Sequence, residues 1–180
     1  MGHGMIGGMT GRVALRPVRE DDLPLLRKLA QDPQLAGEFE LYGWYAPLLY
    51  QRGWERNRLI SPDGGTLAVV CGDDLAGGVA WRRRETAPAS YCWVLGIGLL
   101  PEARNHGYGT QAHRLLVRYL FAHTTVHRIE ATTEAGNIAE QKVLEKTGFS
   151  REAVLRGIRW RGGAWRDEVL YSILRSDPPT

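Results

Sequence analysis

The chain has 180 residues, 43% hydrophobic and 24% charged, the size and balance of one globular domain and not of two domains or a disordered segment. Lys plus Arg exceed Asp plus Glu by only three, 23 against 20, too small an excess for a broad nucleic-acid footprint even with a pI near 9.0. No apolar run approaches the ~18 residues of a membrane span, and Cys71 and Cys92 lack metal-ligand spacing and read as reduced thiols of a cytoplasmic protein. All but three of the bases are Arg, the exceptions being Lys28, Lys142 and Lys146; Arg suits bidentate contact with a phosphorylated small molecule. Residues 1–11, rich in Gly and Met, read as a frayed leader without the features of a signal peptide. Residues 12–175 read as the domain and 176–180 as a tail.

In chain order, residues 12–19 alternate Val13 and Leu15 with Arg12 and Arg16, which predicts a first strand. Glu20, Asp21 and Asp22 then open a helix whose buried face is Leu25, Leu26, Leu29 and Ala30, with Pro24 tolerated in the first turn. Residues 35–50 are aromatic and irregular, broken by Gly37, Gly43 and Pro47, and a second helix is expected over 47–59. Residues 66–71 and 75–84 read as strands joined by the turn at 72–74, and 91–100 as another strand. A helix over 107–122 follows, with Leu115, Leu116, Tyr119 and Leu120 at helical spacing. Then come a short strand over 128–133, a helix over 138–146 closed by Gly148, and a hairpin of 149–160 with 165–174. Hairpins in the middle and one crossover near 91–133 predict an α+β domain with a mixed, mostly antiparallel sheet and about four helices. They argue against a doubly wound dinucleotide fold.

The informative stretch is 97–110, IGLLPEARNHGYGT. A strand runs into Pro101, and a loop with Gly107 and Gly109 opens a helix, so that successive backbone N–H groups and the helix dipole face an anion. Arg104 offers a fork for phosphate. There is no G-x-x-x-x-G-K-[ST], so this is not a P-loop, and the third glycine of a dinucleotide fingerprint is missing.

Arg104-Asn-His-Gly107-Tyr-Gly109-Thr resembles the [RQ]-x-x-G-x-[GA] pyrophosphate loop of the GCN5-related N-acetyltransferases (GNAT). The segment from Asn137 to Gly148-Phe149 is similar to their N-x₁₀-G-F, and Gly163-x-Trp165-x-Asp167-x-x-Leu170-Tyr171 to the branch that acetylates ribosomal-protein N-termini. The resemblance spans nearly the whole chain. It implies a sheet splayed at its central strand pair, acetyl-CoA as donor, no metal, and transfer of acetyl to a primary amine by direct attack in a ternary complex. On this resemblance the backbones of Leu99 and Leu100 would pair with the pantetheine arm. The loop of Asn105, His106, Gly107, Tyr108, Gly109 and Thr110 would take the pyrophosphate, Asn137 would bond the pantetheine, and Lys142 or Lys146 would approach the phosphates. The acceptor is open between a protein N-terminus, an aminoglycoside-like antibiotic, a polyamine and an amino sugar. A CoA-binding sensor or scaffold, and a tailoring enzyme with other chemistry, are the alternative functions, and a homodimer through the C-terminal hairpin is the expected assembly.

The catalytic residues are less defined. Leu144 stands where the family often carries Tyr, and Glu140 where the ribosomal-protein branch carries Ser, so neither familiar acid is present. Glu130 matches by strand position a glutamate used as base in some N-terminal acetyltransferases, against the plain alternative of an ion-paired strand residue. Glu38 and Glu40 are its rivals. Glu38, Phe39, Tyr42 and Trp44 are the expected acceptor-site residues, with core capping as the other reading of these aromatics.

Overall fold

The computed structural model describes residues 11–40, 43, 46 and 48–178. Among them the sheet is built from β1 (Val13–Pro17), β2 (Ile60–Ser61), β3 (Gly64–Cys71), β4 (Asp74–Ala87), β5 (Ser90–Leu99), β6 (Arg128–Glu134), β7 (Ser150–Arg161) and β8 (Ala164–Leu174). The helices are α1 (Leu23–Gln31), α2 (Pro33–Ala36), α3 (Leu49–Asn57), α4 (Tyr108–His123) and α5 (Ile138–Lys146). The strand order is β1-β3-β4-β5-β6-β8-β7, with β2 added beside β3. Every pair is antiparallel except β5 with β6. The mixed sheet is the expected one.

Period-two alternation assigns each strand residue to one of two faces. On β5, Trp93 and Leu95 enter the main core with Leu116 and Leu120 of α4. Gly98, three residues beyond Leu95, turns to the other face, where Leu29 of α1 lies 3.3 Å from the place a Cβ would occupy. Gly78 on β4 does the same against Leu26, at 3.2 Å. Leu23, Leu26 and Leu29 recur at helical spacing and are buried, so α1 lies on this second face by its apolar stripe.

The entry to α1 is held electrostatically. Asp22, buried, accepts from Arg16 Nη1 at 2.6 Å and Nη2 at 2.9 Å, and from the Arg19 backbone N–H at 2.7 Å. The Arg16 fork, more than the other contacts, holds the Asp22 carboxyl below the usual carboxylate range. These bonds tighten residues 20–22 into a 3₁₀ turn, so α1 begins at Leu23 and not at Glu20. The short α2 escaped the sequence reading. Its signal was Asp32-Pro33: the Asp32 side chain accepts from the Gln34 N–H at 2.9 Å, with Pro33 at the first helical position. α3 spans less than the expected 47–59 because Arg58 turns left-handed at φ 56°.

The C-terminus of α4 would leave carbonyls unpaired. Arg175 meets them, donating to the carbonyls of Phe121 at 2.6 Å, Thr124 at 2.6 Å and Val126 at 2.9 Å. A cation there also opposes the negative end of the helix dipole.

Candidate functional site

β5 and β6 pair over three residues only, Trp93 with Ile129, Val94 with Glu130 and Leu95 with Ala131. Beyond that point β5 continues to Leu99 beside β4, while residues 132–134 pair only with β8. The two halves of the sheet thus splay, and a cleft of about 640 Å³ lies there. Ile97, Gly98 and Leu99 supply one wall, α5 with Asn137, Val143 and Lys146 the other.

At one end of the cleft stands the N-terminus of α4. Asn105 and Gly107 take positive φ, 64° and 77°, which wraps the loop so that Asn105, Gly107, Gly109 and Thr110 all line the cleft. A Cβ on Gly107 would meet nothing within 4 Å, so the space in front of this backbone is open. The first N–H groups of a helix and its positive dipole end attract an anion there. Lys142 and Lys146 line the same cleft and are exposed. This donor set fits a pyrophosphate.

Four expected cofactor residues are placed differently. Arg104 does not present a phosphate fork: Nε donates to the Leu99 carbonyl at 2.9 Å, and Nη2 to the carbonyls of Leu35 and, at 3.2 Å, Ala36. It braces α2 against the end of β5. Leu100 is buried outside the cleft, its N–H donating to Ala76 and its carbonyl accepting from Ala103, each at 2.9 Å, so the strand segment facing the cleft is 97–99. Tyr108 turns its side chain into the core beside Cys71, which raises the phenol. His106 faces outward, its ring 5.6 Å from that of Tyr108.

Asn137 caps α5 by accepting from the Glu140 N–H at 3.2 Å. Glu140 is thereby carried into the cleft, where its carboxylate meets His113 Nε2 at 2.9 Å. His113 is almost fully buried, and its Nδ1 is buried without a partner. Leu144 is wholly buried in the main core, so a side chain at that position does not reach the cleft.

A second cavity, about 300 Å³, lies on the α1 face of the sheet. Ala36, Glu40, Ile97 and Gly98 line both cavities and form their common boundary. Glu38 and Phe39 line the larger cleft, with Arg161 stacked 5.5 Å from the Phe39 ring centre. Tyr42 and Trp44 lie outside the described residues. Glu40 is open to solvent over the cavities while protein crowds its carboxylate from the walls. That desolvation first, and the negative charge of Glu140 second, push it up to about 7, against the pull of Arg104 and Arg159. Among the described residues no group of His, Cys, Asp and Glu gathers as a metal site.

The profile of the acetyltransferase (GNAT) domain matches residues 12–150. The chain belongs to the GNAT family. The uncharacterized N-acetyltransferase YnaD of Bacillus subtilis is 34% identical over 48% of this chain and 51% of its own length. The probable N-acetyltransferase YjcK of the same organism is 37% identical over 45% and 46%. The chain thus matches about half the length of these curated relatives. Among solved structures, a Vibrio cholerae spermidine N-acetyltransferase in complex with CoA and spermine superposes at TM-score 0.76 with 18% identity, covering 91% of this chain and 96% of that one. Mycobacterium smegmatis RimJ in complex with CoA-disulfide gives 0.76 at 23%, covering 94% and 85%. At these identities the likeness is one of fold.

Within this GNAT domain Glu130 lines neither cavity. It sits on β6 within the three-residue pairing with β5, before the strands part. Its side chain is 3% exposed and one carboxylate oxygen is held by Arg84 at 2.5 Å and Arg128 at 2.6 Å. Arg128 continues to Glu152, whose carboxyl it holds down at about 2 with help from Ser172. This is the ion-paired strand residue, not the base expected from strand position. Glu130→Gln should leave the pH dependence of turnover unchanged and lower the urea midpoint, since it loosens two guanidiniums at a buried carboxylate; a flattened pH profile would return the base to Glu130.

Proposed function

We propose that this protein transfers acetyl from acetyl-CoA to a primary amine by direct attack within a ternary complex. The observation that carries this reading is the meeting of two cavities at Glu40, over the place where β5 and β6 part. The larger suits a nucleotide-bearing thioester by its anion-attracting helix end, and the smaller suits the acceptor. Acetyl-CoA, when bound, supplies the acetyl group with a thiol as leaving group.

The backbone at Asn105, Gly107, Gly109 and Thr110 holds the pyrophosphate, with Lys142 and Lys146 adding positive charge. Leu99 and Asn137 border the pantetheine arm. Glu40, poised near neutral pH, takes the proton from the incoming ammonium, so that a neutral amine makes the C–N bond as the C–S bond breaks. The leaving thiolate takes its proton from water, and Glu140, held by His113, supplies the negative charge that helps raise Glu40. Arg104 keeps α2 and the Glu40 segment in register with β5, a positioning role. We place the protein in the cytoplasm, a reading supported by its free, buried Cys71 and Cys92. The proposed dimer surface is the β7–β8 hairpin, which exposes Ile158, Trp160 and Trp165.

The test is calorimetry with CoA followed by thiol release from acetyl-CoA across a panel of amines. Binding with amine-dependent release is expected; binding without release would favour a sensor or scaffold. In Gly107→Val the side chain enters the open space before the helix end. CoA affinity should fall by about tenfold or more, ~1.4 kcal/mol, and the positive φ of 77° should lower the melting temperature as well. Unaltered affinity would move the pyrophosphate elsewhere.

A further inference from the structure

The floor of the smaller cavity is unusual for the middle of a sheet. Gly78 and Ala80 of β4 stand directly opposite Gly98 and Gly96 of β5, so four neighbouring positions on one face carry at most a methyl group. Leu26 and Leu29 close in over Gly78 and Gly98, but a Cβ on Gly96 would meet nothing within 4 Å, and both Ala80 and Gly96 are exposed although their strands are central. Leu26, Leu29, Leu49 and Ala36 make the walls. The polar contributions are neutral, from Gln31, Tyr50 and Thr66, and among the described residues Glu40 is the one charged side chain lining the space. At about 300 Å³ the cavity is at the small end of ligand sites, ~300–1,000 Å³.

From this floor, these walls and the single carboxylate at the boundary with the cleft, we propose that the acceptor is a monoamine bearing one compact, uncharged apolar group. The group lies flat on Gly78, Ala80, Gly96 and Gly98, and the amine meets Glu40. This assignment rests on the transferase reading above and names its substrate class. A second ammonium, as on a polyamine, would lie over this apolar floor with no further carboxylate among the described residues lining the cavity to receive it, an unfavourable exchange for water. An aminoglycoside carries several such charges and exceeds the space. Size selection then depends on the missing side chain at Gly96: β5 keeps ordinary extended backbone there, so a larger residue is accommodated without strain and projects into the cavity.

The experiment compares kcat/KM for methylamine, isoamylamine and phenethylamine with that for spermidine and kanamycin. It is run alongside direct binding of phenethylamine to the CoA-loaded protein, followed by tryptophan fluorescence. Phenethylamine or isoamylamine should exceed spermidine by at least about tenfold, as expected when an unpaired charge is set on an apolar surface. Gly96→Val and, independently, Ala80→Leu should cut kcat/KM for phenethylamine about tenfold more than for methylamine, with CoA affinity within about threefold of the parent. Spermidine or kanamycin as the better substrate, or an unchanged size preference in both variants, overturns the proposal. Saturable phenethylamine binding that Gly96→Val weakens, in a protein that releases no thiol, would uphold the pocket and overturn the transferase reading instead.

Discussion

Replacing Glu40 by Gln should lower kcat by about 10²–10⁴, the usual worth of a positioned proton acceptor. The pH profile carries the finer expectation. With its carboxyl pushed up to about 7, Glu40 is protonated and inactive as a base below that pH, so turnover should climb as pH rises through 7 and level off above it. In the Gln variant this limb should vanish, leaving only the titration of the amine itself at higher pH. CoA binding, measured by calorimetry, should change little. A variant that kept the inflection near 7, or turned over within about threefold of the parent, would remove Glu40 from the mechanism. Glu140 gives an internal comparison: Glu140→Gln removes the negative charge that helps raise Glu40, so the limb should move to lower pH and persist.

The largest effect on stability is expected from Arg161. Its Nε and Nη2 each reach Glu134 at 2.7 Å, and the two side chains are only 13% and 8% exposed. Arg161→Leu would strand the Glu134 carboxylate, at a cost of about 3–5 kcal/mol, read as a fall in the urea midpoint. The double variant Arg161→Leu with Glu134→Leu should recover most of that loss, because two apolar residues leave no charge behind. The pH dependence has a definite sign. The bond from Arg161 holds the Glu134 carboxyl below its ordinary value, so the stabilisation is complete above the unfolded-state value and disappears as pH falls through the lowered folded one. The single and double variants should therefore lack this part of the acid sensitivity. Equal stability of parent and Arg161→Leu at neutral pH would show the pair to be energetically idle.

Much of this architecture was legible in the sequence. Residues 128–133 read as the short strand that is β6, and the two glycines after Pro101 as the loop that opens α4. What local pattern does not encode is how far along β6 the sheet parts, and the separation begins only after Ala131. That distance decides whether a carboxylate meets a cavity or two arginines. Arg104 failed for a related reason: one guanidinium suits phosphate and carbonyl oxygens equally, and its carbonyl partners at Leu35 and Ala36 lie about 68 residues upstream and become neighbours only in the folded chain. Leu144 was a matter of facing, since helical spacing from Asn137 did not reveal which flank of α5 would be covered. Glu40 stood among the rivals from the start, but its place between two cavities is a property of tertiary packing alone.

Every described residue that lines the proposed acceptor cavity falls between Leu26 and Gly98, on the side of the sheet before the three-residue seam of β5 and β6. The donor cleft draws on both sides and extends to Lys146. In the proposed reading, selectivity for the incoming amine is thus written in the first hundred or so residues, together with Glu40 and the β5 wall of the donor cleft, while the helix end, Lys142 and Lys146 lie beyond them. An exchange of the first hundred or so residues between relatives, by recombination or by design, would carry a new acceptor preference into a chain whose helix α5 and closing hairpin stay the same. A fold divided in this way can change its acceptor while the helix end and the lysines proposed to hold the pyrophosphate are inherited intact.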